Sequence, residues 1–371
     1  MPAETDDMKD EFAEYCVGYV KMVKEMTKTA TNPNGIDLYA ISPQNEPAFG
    51  QSYSSCVYSP AELARVVKAV GERFKKEGIK TKIFWPEDIG DLGRFKQYMD
   101  AVLRDTAIAR YGDIGAVHAY NANGTIAGSA NKSLWNGMYR VVQRNGPKQF
   151  WQTETSGYYR VSELKDSQDK VIRTPKVRWG GGMKLATTMH VALKDGQCAA
   201  WVFWSIHNVE SLDDGYAFLY NDQPNNNYIA SKHYYRWIRP GAVSVNATTA
   251  DGNVLVTAYQ HDANKTLSIV IINQDSVQTK SIKLDFPSGS LPPTNFTRFV
   301  SSGGLDDNLP AEKCVDKGTV NSTSTISLPP NSITTLTVQV PCPIVLLLLL
   351  RTKRFQMLNG LYMLFRIQIK F

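Results

Sequence analysis

The chain reads as α/β plus β: a (β/α)8 TIM barrel portion followed by an all-β sandwich domain. Three observations carry this. Strand-like apolar runs and amphipathic helical stretches alternate five times before about residue 240. Those runs are continuously apolar, as strands covered on both faces are. Polar residues gather just after them, at Glu46, Glu87, Tyr120, Glu154 and Ser205 to Asn208, which is how the catalytic face of a barrel looks. A doubly wound sheet would also place its ligand at strand ends. Yet there is no G-x-G-x-x-G turn and no Walker loop, and Gly180-Gly181-Gly182 follows a loop and reads as a hinge.

Taken in order, residues 5–29 predict an amphipathic helix. Thr5 can cap it, and Met8, Phe12, Tyr15, Tyr19, Val23 and Met26 share one face. Asn32-Pro33-Asn34-Gly35 ends it with turn chemistry, and Ile36 to Ile41 reads as the first strand. Ser59-Pro60-Ala61-Glu62 is a capping box with proline in the first turn; Leu63, Val66, Val67, Val70 and Phe74 form the buried stripe, and Gly78 closes it. Strands are expected over Thr81–Trp85, Ile114–Tyr120, Gln149–Thr153 and Ala199–Ile206. Helices are expected over Leu92–Ala109, Leu134–Arg144, Met183–Leu193 and Tyr228–Ile238.

Arg239-Pro240-Gly241 breaks the last helix, and the composition then changes. Short β segments follow over Asn253–Tyr259, Leu267–Ile272, Ser281–Phe286, Thr297–Val300 and Ile333–Val340. The expected organisation is therefore a catalytic barrel portion over 1–240, a β-sandwich side domain over 241–340 and an atypical basic, apolar tail over 341–371. Ile344 to Leu350 is too short to span a bilayer, which needs about 20 residues. The tail looks like neither an amphipathic helix nor a strand pair; a membrane-surface anchor is the lesser reading of it, and membrane attachment is not the expectation.

Composition narrows the classes of function. The net charge is +6, and Arg351, Lys353, Arg354, Arg366 and Lys370 in the tail carry most of it. No basic stripe interleaved with aromatics remains, which argues against nucleic acid. The five cysteines are dispersed, with no CxxC pair and no histidine at ligand spacing, so no metal site and no cofactor is expected. The 7 Trp and 18 Tyr suit a sugar-binding cleft and equally an aromatic core. Six N-x-S/T sequons, at Asn123, Asn131, Asn246, Asn264, Asn295 and Asn321, lean towards a secreted glycoprotein. The residues after Met1 contain no apolar signal region.

The chemistry centres on Leu38 to Pro47, LYAISPQNEP, and on Gln149 to Gly157, QFWQTETSG. Each is a short strand ending on an acid. Two carboxyl groups about 5–5.5 Å apart on rigid elements are what a retaining glycosidase needs. A lone strand-end glutamate is otherwise a helix cap or a surface ion-pair partner, and Glu87 reads that way.

These motifs resemble the clan A glycoside hydrolases. Ser42-Pro-Gln-Asn-Glu-Pro47 is similar to their acid/base motif on strand four, and Trp151-Gln-Thr-Glu-Thr-Ser156 to the nucleophile motif on strand seven. His118-Ala-Tyr120 resembles strand six, and Trp201-Val-Phe-Trp204 resembles strand eight. The helix ending Tyr235-Arg-Trp-Ile-Arg-Pro-Gly241 and entering a β domain resembles glycoside hydrolase family 30 in particular. The resemblance implies catalytic Glu46 and Glu154, the first as acid/base and the second as nucleophile. It implies substrate contacts from Asn45, His118, Tyr120 and Trp204, with Tyr120 orienting Glu154. His118 as a core histidine and Trp204 as a packing residue are the alternatives.

The expected activity is retaining hydrolysis of β-glycosidic bonds in a polysaccharide or glycoside, of xylanase, β-1,6-glucanase or galactanase, or glucosylceramidase type, by a secreted monomer. Glucuronoxylan-specific members of the family hold the acidic branch with basic residues after strand eight. Here His207 to Tyr216 carries Glu210, Asp213 and Asp214 and no arginine, which counts against that specificity. Only strands resembling four to eight are present, so the chain reads as an N-terminally truncated member whose folding and activity are expected to be poor. A non-catalytic carbohydrate-binding protein and an inactive gene fragment are the alternative readings.

Overall fold

The structure is a computed structural model. It describes residues 6–52, 55–120, 131–144, 146, 148–158, 160–165, 168, 171–208, 215–220, 222–287, 292–339 and 366–370. The chain divides into two compact units: residues 1–156 with 191–204, and residues 157–190 with 205–371. The helix Trp179–Lys194 starts in the second and ends in the first.

The first unit is built on a curled, all-parallel sheet of five strands. Their order is Ala40–Ile41, Lys82–Asp88, Ile114–His118, Gln149–Glu154 and Ala200–Trp201, which is also chain order. This is the parallel sheet that the alternating pattern predicts and the partial barrel that the resemblance implies. Ile114–His118 is buried throughout, as a central strand covered on both faces must be. The first and last strands are shorter than expected, at two residues each, because pairing is confined to Ala40–Ile41 and Ala200–Trp201.

Helix Pro60–Lys76 forms as its signals predict. Ser59 Oγ accepts from the Glu62 N–H, the Glu62 carboxylate accepts from the Ser59 N–H, and Leu63, Val66, Val67, Val70 and Phe74 are buried. Asn131 caps Lys132–Val142 in the same way, accepting from the Leu134 N–H at 3.1 Å. The expected helix from Leu92 to Ala109 is instead two, Leu92–Leu103 and Thr106–Ala109. Asp105 adopts an extended backbone and caps the second by accepting from the Ala107 N–H.

Helix Asp6–Met26 buries a different face from the one expected. Ala13, Cys16, Val17 and Val20 are buried, whereas Tyr15 and Met26 are 67% and 76% exposed. The helix carries two apolar stripes. The one made of small side chains lets it approach its neighbour, Pro60–Lys76, closely.

The second unit contains nine strands in one continuous pairing order: Glu312–Asn321, Asn295–Ser302, Ser332–Gln339, Thr266–Asn273, Val254–His261, Val243–Thr249, Arg366–Lys370, Lys280–Asp285 and Ile326–Leu328. The sheet folds over itself as a sandwich. Val256, Ile269, Ile271 and Leu336 share one core with Ile282, Leu284, Phe296, Ile326 and Leu328. Three strands, Val243–Thr249, Glu312–Asn321 and Ile326–Leu328, have no counterpart among the segments read from sequence. In the tail, where no strand pair is expected, Arg366–Lys370 pairs in parallel with Val243–Thr249; Arg-Ile-Gln-Ile-Lys alternates polar and apolar residues as a strand does. The rest of 340–365 lies outside the described residues.

The hinge expected at Gly180-Gly181-Gly182 is not one. These glycines form the first turn of Trp179–Lys194, and the Gly180 N–H donates to the Leu305 carbonyl at 2.8 Å. A Cβ at Gly182 would come within 2.8 Å of the Asn226 carbonyl oxygen, so the residue is small because backbone passes close by. A two-stranded antiparallel pair, Arg160–Lys165 with Val171–Lys176, occupies what reads as a polar loop.

Candidate active site

Parallel register brings the strand ends of the first unit to one edge. There the chain after Ala40–Ile41 turns sharply, placing Glu46 at φ 45°. Glu87, within Lys82–Asp88, sits at φ 57°. Left-handed conformations cost a non-glycine residue about 1–3 kcal/mol and persist where the surroundings impose them. Here the Glu46 N–H donates to the Glu87 carbonyl at 2.9 Å, tying the two turns together. A neighbouring tie runs from the Gly90 N–H to the Tyr120 carbonyl at 2.7 Å, and a Cβ at Gly90 would come within 2.6 Å of that oxygen.

His118, at the end of the central strand, is fully buried at 0% exposure. Its Nδ1 lies 3.0 Å from Glu46 Oε1 and 3.9 Å from Glu154 Oε1, and its Nε2 lies 3.8 Å from Glu87 Oε1. One carboxylate oxygen each from Glu46 and Glu154 and a ring nitrogen of His118 all fall within 4.8 Å of one another. Two carboxylates and an imidazole are also a competent donor set for a divalent ion. In this arrangement Nδ1 is already hydrogen-bonded to Glu46.

Other polar groups close around this cluster. Gln51 Nε2 donates to Glu46 Oε2. The Tyr120 hydroxyl lies 2.9 Å from Ser156 Oγ, and its ring meets the His118 ring edge-on at 6.0 Å. Asp88 is buried beneath, with Arg94 at 3.5 Å.

Charge in this pocket is set by burial first. Burial pushes Glu154 above the usual carboxylate range; the charge on His118 pulls it back, Glu46 and Glu87 raise it further, and the Tyr120 hydroxyl favours its ionised form. For His118, burial opposes the charge. The hydrogen bond to Glu46 and the nearby carboxylates of Glu87 and Glu154 more than offset that, carrying it up to about 9. The Tyr120 hydroxyl is raised by burial and stays protonated, able to donate.

Of the residues singled out from sequence, Glu46, His118 and Glu154 form the cluster and Tyr120 borders it. Asn45 and Trp204 are exposed, Asn45 beside Glu46. Trp204 is 58% exposed beyond the last strand, its N–H donating to the Thr155 carbonyl at 2.8 Å. Glu210, Asp213 and Asp214 lie outside the described residues. Gln51 carries no signal of residue type or spacing, and Ser156 enters the sequence reading only as the end of the Trp151–Ser156 motif. Glu87 was set aside as structural, yet it is part of the group around His118.

No protein-family model matches the chain. A glucuronoxylanase XynC from Bacillus subtilis is 28% identical over 249 residues, covering 66% of this chain and 49% of that protein. The chain thus spans about half the length of the curated relatives it matches. Among solved structures, a GH30 endoxylanase from Clostridium papyrosolvens C71 superposes with a TM-score of 0.63 at 24% identity, covering 91% of this chain and 72% of that one. An endo-β-1,6-glucanase superposes with a TM-score of 0.60 at 18% identity, covering 90% and 64%. Among the described residues no helix is long and apolar enough to cross a membrane.

Proposed function

The chain is a relative of glycoside hydrolase family 30, and on that footing we propose that it carries the catalytic centre of a retaining β-glycanase. The observation that supports this best is the convergence of Glu46 and Glu154. One carboxylate oxygen of each lies within 4.8 Å of the other, Glu46 in the turn after Ala40–Ile41 and Glu154 at the end of Gln149–Glu154, in keeping with the short separation that retaining enzymes use. Glu154 acts as nucleophile on the anomeric carbon. Glu46 protonates the departing oxygen and then, as a base, activates the water that releases the sugar. Both roles need charge control. The nucleophile must be ionised although burial opposes it, and His118 supplies the positive charge that favours ionisation. Tyr120 donates towards Glu154, and Asn45 and Trp204 offer a hydrogen-bonding group and an aromatic platform to the substrate.

The named relatives favour a xylan or a β-1,6-glucan as substrate, and the sequons favour a secreted protein. The acids Glu210, Asp213 and Asp214, with no arginine among residues 207–216, speak against recognition of an acidic branch. We take the portion 1–240 as catalytic and 241–340 as its β side domain, which the strand Arg366–Lys370 of the tail joins by pairing with Val243–Thr249 and Lys280–Asp285.

The test is release of reducing ends from xylan and β-1,6-glucan by the wild type and by Glu154→Gln. Turnover in the variant is expected to fall by at least about a thousandfold. Glu154→Gly with azide is expected to return a glycosyl azide of inverted anomeric configuration. Undiminished turnover in Glu154→Gln sinks this reading. Binding of polysaccharide by the wild type without any release of reducing ends leaves the carbohydrate-binding reading in its place.

A further inference from the structure

A buried imidazole needs a reason to be charged, and His118 has three. Glu46 and Glu154 face its Nδ1 at 3.0 and 3.9 Å. The third, Glu87, faces the opposite edge, 3.8 Å from Nε2. Among the described residues nothing accepts a hydrogen bond from Nε2, which is buried. Glu87 is therefore the group that favours a proton there, and its side chain is only 13% exposed, so solvent screens the pair little.

We propose that Glu87 is a positioning residue of this site: by standing against Nε2 of His118 it holds the imidazole as a cation, with Nδ1–H presented to Glu46 and Glu154. A carboxylate outside the reacting pair thereby governs that pair through the ring. The inference rests on the glycanase reading for its consequence, but the Glu87–His118 relationship stands apart from it.

Backbone geometry supports the assignment. Glu87 holds a left-handed conformation at φ 57°, and its carbonyl accepts the N–H of Glu46 at 2.9 Å. The turn that carries Glu87 thus fixes the proposed acid through the main chain, and its side chain reaches the same acid through His118. The charge arithmetic is consistent. With Glu46 protonated and Glu154 ionised, an imidazolium paired to Glu87 leaves one net negative charge in the group. That charge matches the positive charge that develops on the sugar in the transition state. Without Glu87 the ring can lose its proton within the working range. Its Nδ1 lone pair then becomes an acceptor that competes for the proton of Glu46. The other ionisable groups facing the ring are Tyr120, edge-on at 6.0 Å, and Asp88, which is paired with Arg94 at 3.5 Å. Glu87, at 3.8 Å, is the carboxylate paired with Nε2 among the described residues.

The experiment follows His118 directly, by NMR of its ring nitrogens across pH in the full chain, for the wild type, Glu87→Gln and Glu87→Asp. The His118 titration is expected to drop by about one pH unit or more in Glu87→Gln, and by a smaller step in Glu87→Asp, whose carboxylate is withdrawn by one methylene. The alkaline limb of kcat/KM is expected to move down in the same order. A merely structural Glu87 would lower stability and activity evenly at all pH and leave the His118 titration in place. An unmoved titration in Glu87→Gln overturns the proposal. If Glu87→Gln does not fold, an unmoved titration in Glu87→Asp overturns it. A wild type that releases no reducing sugar removes the glycanase reading while the NMR result still decides the Glu87–His118 relationship.

Discussion

His118 and Glu46 meet at 3.0 Å through Nδ1 and Oε1, both side chains buried, although 72 positions separate them in the chain. Glu154 Oε1 lies 3.9 Å from the same nitrogen. One ring therefore stands against both proposed catalytic carboxylates and carries the positive charge among them.

Removing that charge has a definite sign. Burial already raises Glu154, and His118 is what lowers it. In His118→Asn the carboxyl of Glu154 rises further, so a larger share is protonated and unable to attack at acidic pH. The acid limb of kcat/KM is expected to move to higher pH by about one unit or more. A limb that stays in place or moves lower would count against His118 as the cation of the site.

The second unit contains a histidine of opposite character. His233 is fully buried, with Nδ1 2.8 Å from Thr335 Oγ1 and Nε2 2.8 Å from Ser301 Oγ. The Thr335 hydroxyl donates to the His233 carbonyl at 3.2 Å, so it must accept from Nδ1–H. Ser301 Oγ accepts the Cys314 N–H at 2.7 Å and donates its own hydrogen to Nε2. A proton on Nε2 would leave the serine hydrogen without an acceptor. Burial and the nearby Lys232 press His233 down from 6.5 to about 3. With the folded value below the unfolded one, the unfolded chain binds the extra proton between those limits. Stability is therefore expected to hold above pH 6.5 and to fall from there towards pH 3, by up to about 1.4 kcal/mol per pH unit. Urea melts across that window check it, with His233→Asn expected to flatten the slope; equal slopes in the two proteins would contradict it.

Phe296 anchors the sandwich. It is 0% exposed and shares its core with Ile269, Leu284 and Leu336. Phe296→Ala is expected to destabilise the protein by about 3–5 kcal/mol, seen as a lower denaturation midpoint. A loss below about 1 kcal/mol would mean that the packing around it is loose.

Much of this was legible from local pattern. The Ser59–Glu62 capping box, the stripe from Leu63 to Phe74 and the buried run Ile114–His118 depend on spacings of one or two turns and on continuous apolar character. Such features are written in neighbouring residues, and the structure reproduces them. The five-stranded parallel sheet follows from their repetition, and the sandwich from the β segments after Gly241.

What tertiary structure decided are the choices that local pattern leaves balanced. Helix Asp6–Met26 carries two apolar stripes, and only the neighbouring helix selects the one with Ala13, Cys16 and Val17. Three successive glycines read as a hinge until the Asn226 carbonyl is found 2.8 Å from where a Cβ of Gly182 would be. Arg366–Lys370 alternates polar and apolar residues, but nothing local names its distant partner, Val243–Thr249. By itself the sequence determined that acids sit at strand ends. That Glu87 faces Nε2 of His118 while Glu46 and Glu154 face Nδ1 depends on parallel register between distant segments. Side-chain type and spacing along the chain do not encode such a meeting, because each strand's own sequence is silent about its neighbour's.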